Sequence, residues 1–254
     1  MINVCFAGIT GWTAPPIVAA IEQADDLTLT AGVSRSAAGT GIIHATVAEA
    51  LAAAPVDVLV DYTSATAVRD NVWTAVRAGV NVVVGSSGLT AGDYAELDGL
   101  AREHGVGVVA AGNFSIVAAV LNRAAAVAAE HLGHWEIIDY AAVAKPDVPS
   151  GTTLELADAL GAVRVPAEAV PLAELHGPVE ARGAEVGGAR VHSVRLPGFT
   201  IGAEVIFGEG VERLSMRYES GDDPGPYAAG TILAIRRVAE AVGVRRGLGS
   251  LLFG

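Results

Sequence analysis

The residues best suited to chemistry lie in AAVAKPDVPSGTT, positions 141 to 153. The second half of this stretch is built to hold an anion. Lys145 brings a full positive charge, and Pro149-Ser150-Gly151-Thr152 leads straight into a helical run, LELADALGAV. Backbone N–H groups at a helix N-terminus, together with the helix dipole, favour negative charge. Lys145, Ser150, Gly151 and Thr152 are therefore a candidate clamp for one carboxylate. A plain helix cap would use the same serine, but a cap needs no lysine. Lys145 is also a candidate proton donor. Beside this cradle, where titratable side chains would be expected, stand alanines, Ala141 and Ala142.

A second group of residues opens the chain. The run INVCFA leads into G8-I-T-G11-W-T-A14. Glycines in such a turn let the backbone approach a pyrophosphate closely, at the start of a helix. A tight turn with no ligand has the same look, and the signal gains weight only from its place after a first strand. Gly8, Thr10, Gly11 and Trp12 are the candidates here. The second strand ends in Val33-Ser34-Arg35-Ser36. An NAD-preferring fold usually places a carboxylate there for the ribose 2′-OH. Its absence, with a guanidinium present, suits a 2′-phosphate, so Ser34 and Arg35 point to NADPH, with NADH still possible. A solvated loop arginine is the plainer reading of Arg35. Later strand ends carry Asp61-Tyr62-Thr63, Gly85-Ser86-Ser87-Gly88 and Ala111-Gly112-Asn113-Phe114-Ser115. The carboxyl ends of strands form the ligand crevice of an open α/β sheet, so these too are candidate cofactor contacts.

Other titratable groups give less. If WEIIDYAAVAK is one strand, its two-residue period puts Asp139, Ala141, Val143 and Lys145 on one face. Asp139 and Lys145 would then lie roughly 20 Å apart and could not share a proton. Tyr140 would point the other way, into core or an interface. A bound water is as good a donor as any side chain. His44 and His104 read as surface residues, and His131 and His134 close a helix where a cation suits the dipole. His192 reads as structural, and His176 falls in the irregular segment 161–190. No cluster has metal-ligand spacing, so no metal is expected.

The elements that must position these groups follow a pattern. Strands are expected at 2–7, 27–34, 56–63, 80–88 and 106–115, alternating with helices at 14–24, 47–54, 67–79 and 91–105. The strands are continuously apolar, which argues a parallel, doubly wound α/β sheet of Rossmann type. A long helix over 115–132 then changes the pattern. A strand at 135–145 and runs at 191–196, 203–210 and 212–220 suggest a second, α+β part with a mixed or antiparallel sheet. A last helix over 227–242 can return to the first part.

Composition narrows the class. The chain has 254 residues, with 16 Lys and Arg against 28 Asp and Glu, a net charge of −12. So acidic a chain is a poor ligand for nucleic acid or anionic membranes. No apolar run reaches the roughly 18 residues of a membrane span, and no basic segment precedes the first apolar run as in a signal peptide. A cytoplasmic enzyme acting on a small molecule is expected. The single cysteine, Cys5, lies in an apolar run and reads as a core thiol.

In several segments taken in order, the chain resembles the dihydrodipicolinate reductase family over nearly its whole length. These are the opening glycine turn, VDYTSATAVRDNVWTAVRAGVNVVVGSSGLT, AAGNFSIVAAVLNRAA, KPDVPSGTT, and VHSVRLPGF with IFGEGVERLSM. The K-x-D-x-P-S-G-T string is the most specific. The resemblance implies a Rossmann dinucleotide-binding domain made from 1–115 and 222–254. It implies a substrate-binding and oligomerisation domain over 116–221, reduction of a cyclic C=N bond by a nicotinamide cofactor, and a homotetramer, or a homodimer, held by the central sheets. The departures are as informative. The family's His-His pair, its presumed acid and carboxylate partner, is replaced by Ala141 and Ala142. Its arginine after the second turn glycine is Trp12, and the stretch after Arg195 reads Thr200-Ile201-Gly202-Ala203-Glu204. A C=N reductase aimed at a cyclic imine with at most one carboxylate fits best. An amine dehydrogenase or C=O reductase, and a non-redox cyclase or ligand sensor, are the alternatives.

Overall fold

The computed structural model describes every residue except Ala169, Thr200 and Asp222. The Thr200 substitution and the residue at which the returning segment was expected to open therefore lie outside the described residues. The chain forms two compact units, Met1–Ile116 with Pro224–Gly254, and Val117–Asp223.

The first unit runs β1 (Ile2–Ala7), α1 (Ala14–Glu22), β2 (Leu27–Val33), β3 (Ile43–His44), α2 (Val47–Ala53), β4 (Val58–Asp61), α3 (Val68–Arg77), β5 (Asn81–Val84), α4 (Ala91–His104) and β6 (Gly107–Ala110). The second contains α5 (Ile116–His131), β7 (His134–Ala141), α6 (Gly151–Gly161), β8 (Ala184–Val186), β9 (Ala189–Arg195), β10 (Ile201–Glu209) and β11 (Glu212–Ser220). The chain then returns to the first unit as α7 (Pro226–Arg237), β12 (Gly243–Arg246) and α8 (Gly249–Leu252).

The first sheet has seven strands in the order β12-β6-β5-β4-β1-β2-β3. Every pairing is parallel. The order reverses between β1 and β4, the topological switch point where such sheets bind ligands. Strands β4 and β6 are buried at every position, as expected when helices cover both faces. Cys5 is fully buried in β1, and burial pushes its thiol up to about 12.

The second sheet has five strands in the order β11-β10-β7-β9-β8. It is mixed: β7 and β9 run parallel, and the other pairs run antiparallel. On β7 the buried positions alternate, Trp135, Ile137, Asp139 and Ala141. Trp135, Ile137, Leu121 and Ala125 of α5, and Leu156 and Leu160 of α6 share one apolar core. Strand β7 ends at Ala141, four residues before its expected end. The Lys145 N–H closes a turn onto the Ala142 carbonyl at 3.0 Å, and Pro146 has no N–H to extend a ladder. Val143 and Lys145 are therefore not on the strand face that carries Asp139. Segment 161–190 contains two 3-10 turns, Leu172–Glu174 and Val179–Arg182, before β8. Among the described residues no helix is long and apolar enough to cross a membrane.

Candidate active site

A cleft of about 960 Å³ opens at the carboxyl ends of β1, β2 and β4. Gly8, Thr10, Gly11, Ser34, Arg35, Tyr62 and Thr63 line it. The turn after β1 needs its glycines. Gly8 sits at φ +89°, and a Cβ on it would stand 2.3 Å from the Tyr62 carbonyl oxygen. The Gly11 N–H closes the turn onto the Gly8 carbonyl at 2.8 Å. Helix α1 has no side-chain cap, and prolines follow Ala14 in its first turn. Pro15 and Pro16 carry no N–H, so donors to an anion must come chiefly from the turn and not from the helix.

The end of β2 carries hydroxyls. Thr10 Oγ1 and Ser34 Oγ are 2.8 Å apart, and Ser34 Oγ and Ser36 Oγ are 3.1 Å apart. Arg35 is exposed beside them. The carboxylate that lines this cleft, Asp70, belongs to α3 and not to the end of β2. A glycine turn that admits close backbone approach, and a hydroxyl-rich strand end with an adjacent guanidinium, are groups that could hold the phosphates of a dinucleotide.

The remaining nucleotide candidates of the first unit play different parts. Trp12 is 55% exposed and outside the cleft lining. Tyr62 lines the cleft, but its ring is core: it stacks on Phe6 at 5.9 Å, and its hydroxyl meets Thr231 Oγ1 at 2.8 Å. Burial raises its pKa further. Gly85 is required by that ring, since a Cβ there would lie 2.2 Å from Tyr62 Cε1. Phe114 is buried edge-on to Tyr62. Asn113 Oδ1 accepts from the Ser115 N–H at 2.7 Å. Ser87 and Gly112 are exposed. Ser86 and Thr63 are both held by Asp61, which the sequence placed at the same strand end as Thr63 without giving it this role. Its buried carboxylate accepts from Thr63 Oγ1 at 2.8 Å, Ser86 Oγ at 2.5 Å and Asn71 Nδ2 at 2.8 Å.

In the second unit, Ser150 is the N-cap of α6, accepting from the Thr153 N–H. Its hydroxyl also donates to Asp139 Oδ1 at 2.6 Å, and its N–H donates to Asp139 Oδ2 at 3.1 Å. Ser150 is fully buried. It therefore shapes the turn and does not offer a free hydroxyl to a ligand. Thr152 is buried too, while Gly151 is partly exposed at the first helical position. Lys145 is partly buried and pairs with Asp147, Nζ to Oδ2 at 2.9 Å.

Asp139 is the centre of this arrangement, and the sequence hid it. The two-residue period of β7 turns it into the core, where an ionised carboxylate must be fully hydrogen-bonded. Besides Ser150 it accepts from Thr153 Oγ1 at 2.9 Å, Ser193 Oγ at 2.9 Å and Arg195 Nη2 at 2.7 Å. Burial pushes its pKa up, but hydrogen bonds from Ser150, Arg195 and Thr153 outweigh burial and hold it below the usual carboxylate range. Arg195 Nη2 donates also to the Asp147 carbonyl at 2.7 Å. A carboxylate at a position that shares its face with Trp135 and Ile137 in WEIIDYA was the available signal.

The histidine positions of the resembling family are empty of imidazole. Ala141 is fully buried, and Ala142 is partly buried. Tyr140, on the other face, donates to Glu204 Oε2 at 3.0 Å and lies under the Arg217 guanidinium. His192 Nε2 meets Glu136 Oε2 at 2.7 Å on that same face.

Comparison with known proteins agrees in both units. The family model described as dihydrodipicolinate reductase, N-terminus, matches residues 2–114, and its C-terminus counterpart matches residues 115–250. The 4-hydroxy-tetrahydrodipicolinate reductase of Mycolicibacterium vanbaalenii is 35% identical over 246 residues, covering 96% of each chain. That of Geobacillus kaustophilus is 34% identical, covering 93% of this chain and 94% of the other. The dipicolinate-bound dihydrodipicolinate reductase from Paenisporosarcina sp. TG-14 superposes with a TM-score of 0.80 at 25% identity, covering 98% of this chain and 99% of that one. The chain thus belongs to the dihydrodipicolinate reductase family of NAD(P)H-dependent oxidoreductases.

Proposed function

We propose that this protein is an NADPH-dependent reductase of a cyclic imine bearing at most one carboxylate, a different substrate from that named for its relatives. The observation that carries the reading is the pairing of the Lys145-to-Thr152 stretch, which still leads into the head of α6 where Gly151 stays partly exposed, with two alanines in the histidine positions. One carboxylate would find partners in Lys145 and the backbone N–H groups that open α6. The second carboxylate of a dicarboxylic substrate has lost one of its expected partners.

The cofactor would lie along the glycine turn of the first unit. Thr10, Ser34, Ser36 and Arg35 would hold the 2′-phosphate, which favours NADPH over NADH. When bound, it supplies a hydride to the C=N carbon. The chain's own residues bind and orient the substrate. Lys145 and the N–H groups at the start of α6 hold its carboxylate. The nitrogen needs one proton. Cyclic imines are basic enough to arrive protonated near neutral pH, so the alanines do not stop the reaction. General-acid help is worth about 10²- to 10⁴-fold, and Lys145 or a bound water can still give it. Hydride on carbon and the proton already on nitrogen together make the cyclic amine. The family resemblance also supports assembly as a homotetramer through the second unit's sheet.

The test is NADPH oxidation with two imines. Δ1-Piperideine-2-carboxylate, with one carboxylate, should be reduced with kcat/KM at least about tenfold above the dicarboxylate made in situ by dihydrodipicolinate synthase. Rapid turnover of the dicarboxylate would return the family's own substrate to this chain.

A further inference from the structure

We propose that Asp147 is a specificity residue that competes with ligand carboxylates for Lys145. The inference rests on the reading of Lys145 and the α6 turn as a carboxylate clamp. In the structure Lys145 is already paired, Nζ to Asp147 Oδ2 at 2.9 Å. The two side chains are 31% and 39% exposed, so the pair is solvated and exchangeable, unlike a buried one.

Asp147 does not sit there by accident of a mobile side chain. Its carbonyl accepts from Arg195 Nη2 at 2.7 Å, and that guanidinium is anchored to the fully buried Asp139 at 2.7 Å. From the other end, the Lys145 N–H is tied to the Ala142 carbonyl. Both partners are thus presented from fixed backbone. The charges also balance: Lys145 and Arg195 against Asp139 and Asp147. An arriving carboxylate must displace Asp147 from Nζ, or share the lysine with it against like-charge repulsion. A small anion with no other contact gains little from that exchange. A ligand that also reaches the start of α6 gains enough to make it. Asp147 therefore lowers affinity for anions in general and raises the demand for a second contact.

The sign of the effect separates this role from a structural one, because damage to the loop weakens binding whereas removing a competitor strengthens it. The experiment is calorimetry on the NADPH-loaded protein with dipicolinate, picolinate and the uncharged pyridine-2,6-dicarboxamide. Asp147→Asn should tighten both carboxylates about two- to fivefold, the range of a solvated ion pair. It should leave the diamide and NADPH unchanged. Lys145→Ala should weaken both carboxylates, and adding Asp147→Asn to it should bring no gain. Asp147→Ser, run in parallel, serves if the asparagine variant does not fold. Carboxylate affinity unchanged or lower in the Asp147 variants, while Lys145→Ala weakens it, overturns the proposal but leaves the clamp. Equal tightening of the diamide also overturns it. No effect of Lys145→Ala on carboxylates removes the clamp and the proposal together.

Discussion

Asp139 shows how one buried charge sets both geometry and stability. Its Ser150, Thr153, Ser193 and Arg195 donors come from α6 and β9. Asp139→Asn removes the charge that balances Arg195, and breaking one side of a buried pair costs about 3–5 kcal/mol. Urea unfolding at pH 7 should show a loss of that order. The pH dependence has a definite sign. The folded pKa is depressed, so the contribution is complete above the unfolded value of about 3.9 and is lost as pH falls through the lower folded value. The gap between wild type and Asp139→Asn should therefore narrow below about pH 4. A gap constant from pH 7 to pH 3 would mean that the charge does not matter. Arg35 makes a separate prediction in the first unit. If it pairs with the 2′-phosphate, Arg35→Ala should reduce the preference for NADPH over NADH by about 1–3 kcal/mol, measured by calorimetric titration of both cofactors. Both arginines are plain in the sequence. Only Arg35 could be assigned a partner there, because its setting at a strand end has a known geometry. The partner of Arg195, Asp139, is 56 residues away and needed the parallel pairing of β7 with β9 to be seen.

At the scale of elements, two aspartates near strand ends do similar work. Asp61 closes β4 and gathers Thr63, Ser86 and Asn71. Asp139, near the end of β7, gathers the head of α6 and the end of β9. Each lies in a mainly apolar run, and each converts a strand end into an ordered loop. The glycine turn after β1 is the complementary device, shaped by close approach and not by charge. Gly8→Ala would place a methyl 2.3 Å from the Tyr62 carbonyl at φ +89°. The turn must move, so NADPH affinity should fall by at least about tenfold while the far-UV dichroism of the sheet and helices persists. Unchanged NADPH affinity would remove this turn from the cofactor site. The strands of the first sheet were legible because burial on both faces leaves continuous apolar runs. Strand β3, of two residues, was not, and neither was β12, GVRR, four residues with two arginines. Its place beside β6 comes from register, Val244 opposite Val108. The strand before Lys145 was read too long because period-two alternation cannot see a turn that begins with alanines.

At the scale of the whole molecule, the second unit's sheet raises the question of assembly. One face is covered by the core shared with α5 and α6. The other carries Ile138, Tyr140, Val194 and Ile206, all only partly buried. Among these apolar side chains lie the Glu136–His192 and Glu204–Arg217 pairs, at 2.7 and 3.7 Å. An antiparallel-rich sheet can leave such a face in water, so the face alone does not require a partner. Apolar side chains interleaved with paired charges also suit a specific interface, and the family resemblance favours that use. The expected particle is a homotetramer of the 25.7 kDa chain, measured by light scattering at micromolar concentration. Each chain brings a net charge of −12, so long-range repulsion opposes assembly and moderate salt should strengthen it by screening. Ile206→Arg puts a larger, charged side chain on this face, between Glu136 of β7 and Ser215 of β11 in the sheet register. It should dissociate the particle without unfolding the unit, because the side chain is not in the core between sheet and helices. A wild-type monomer, or an Ile206→Arg tetramer of unchanged mass, would take the interface away from this face.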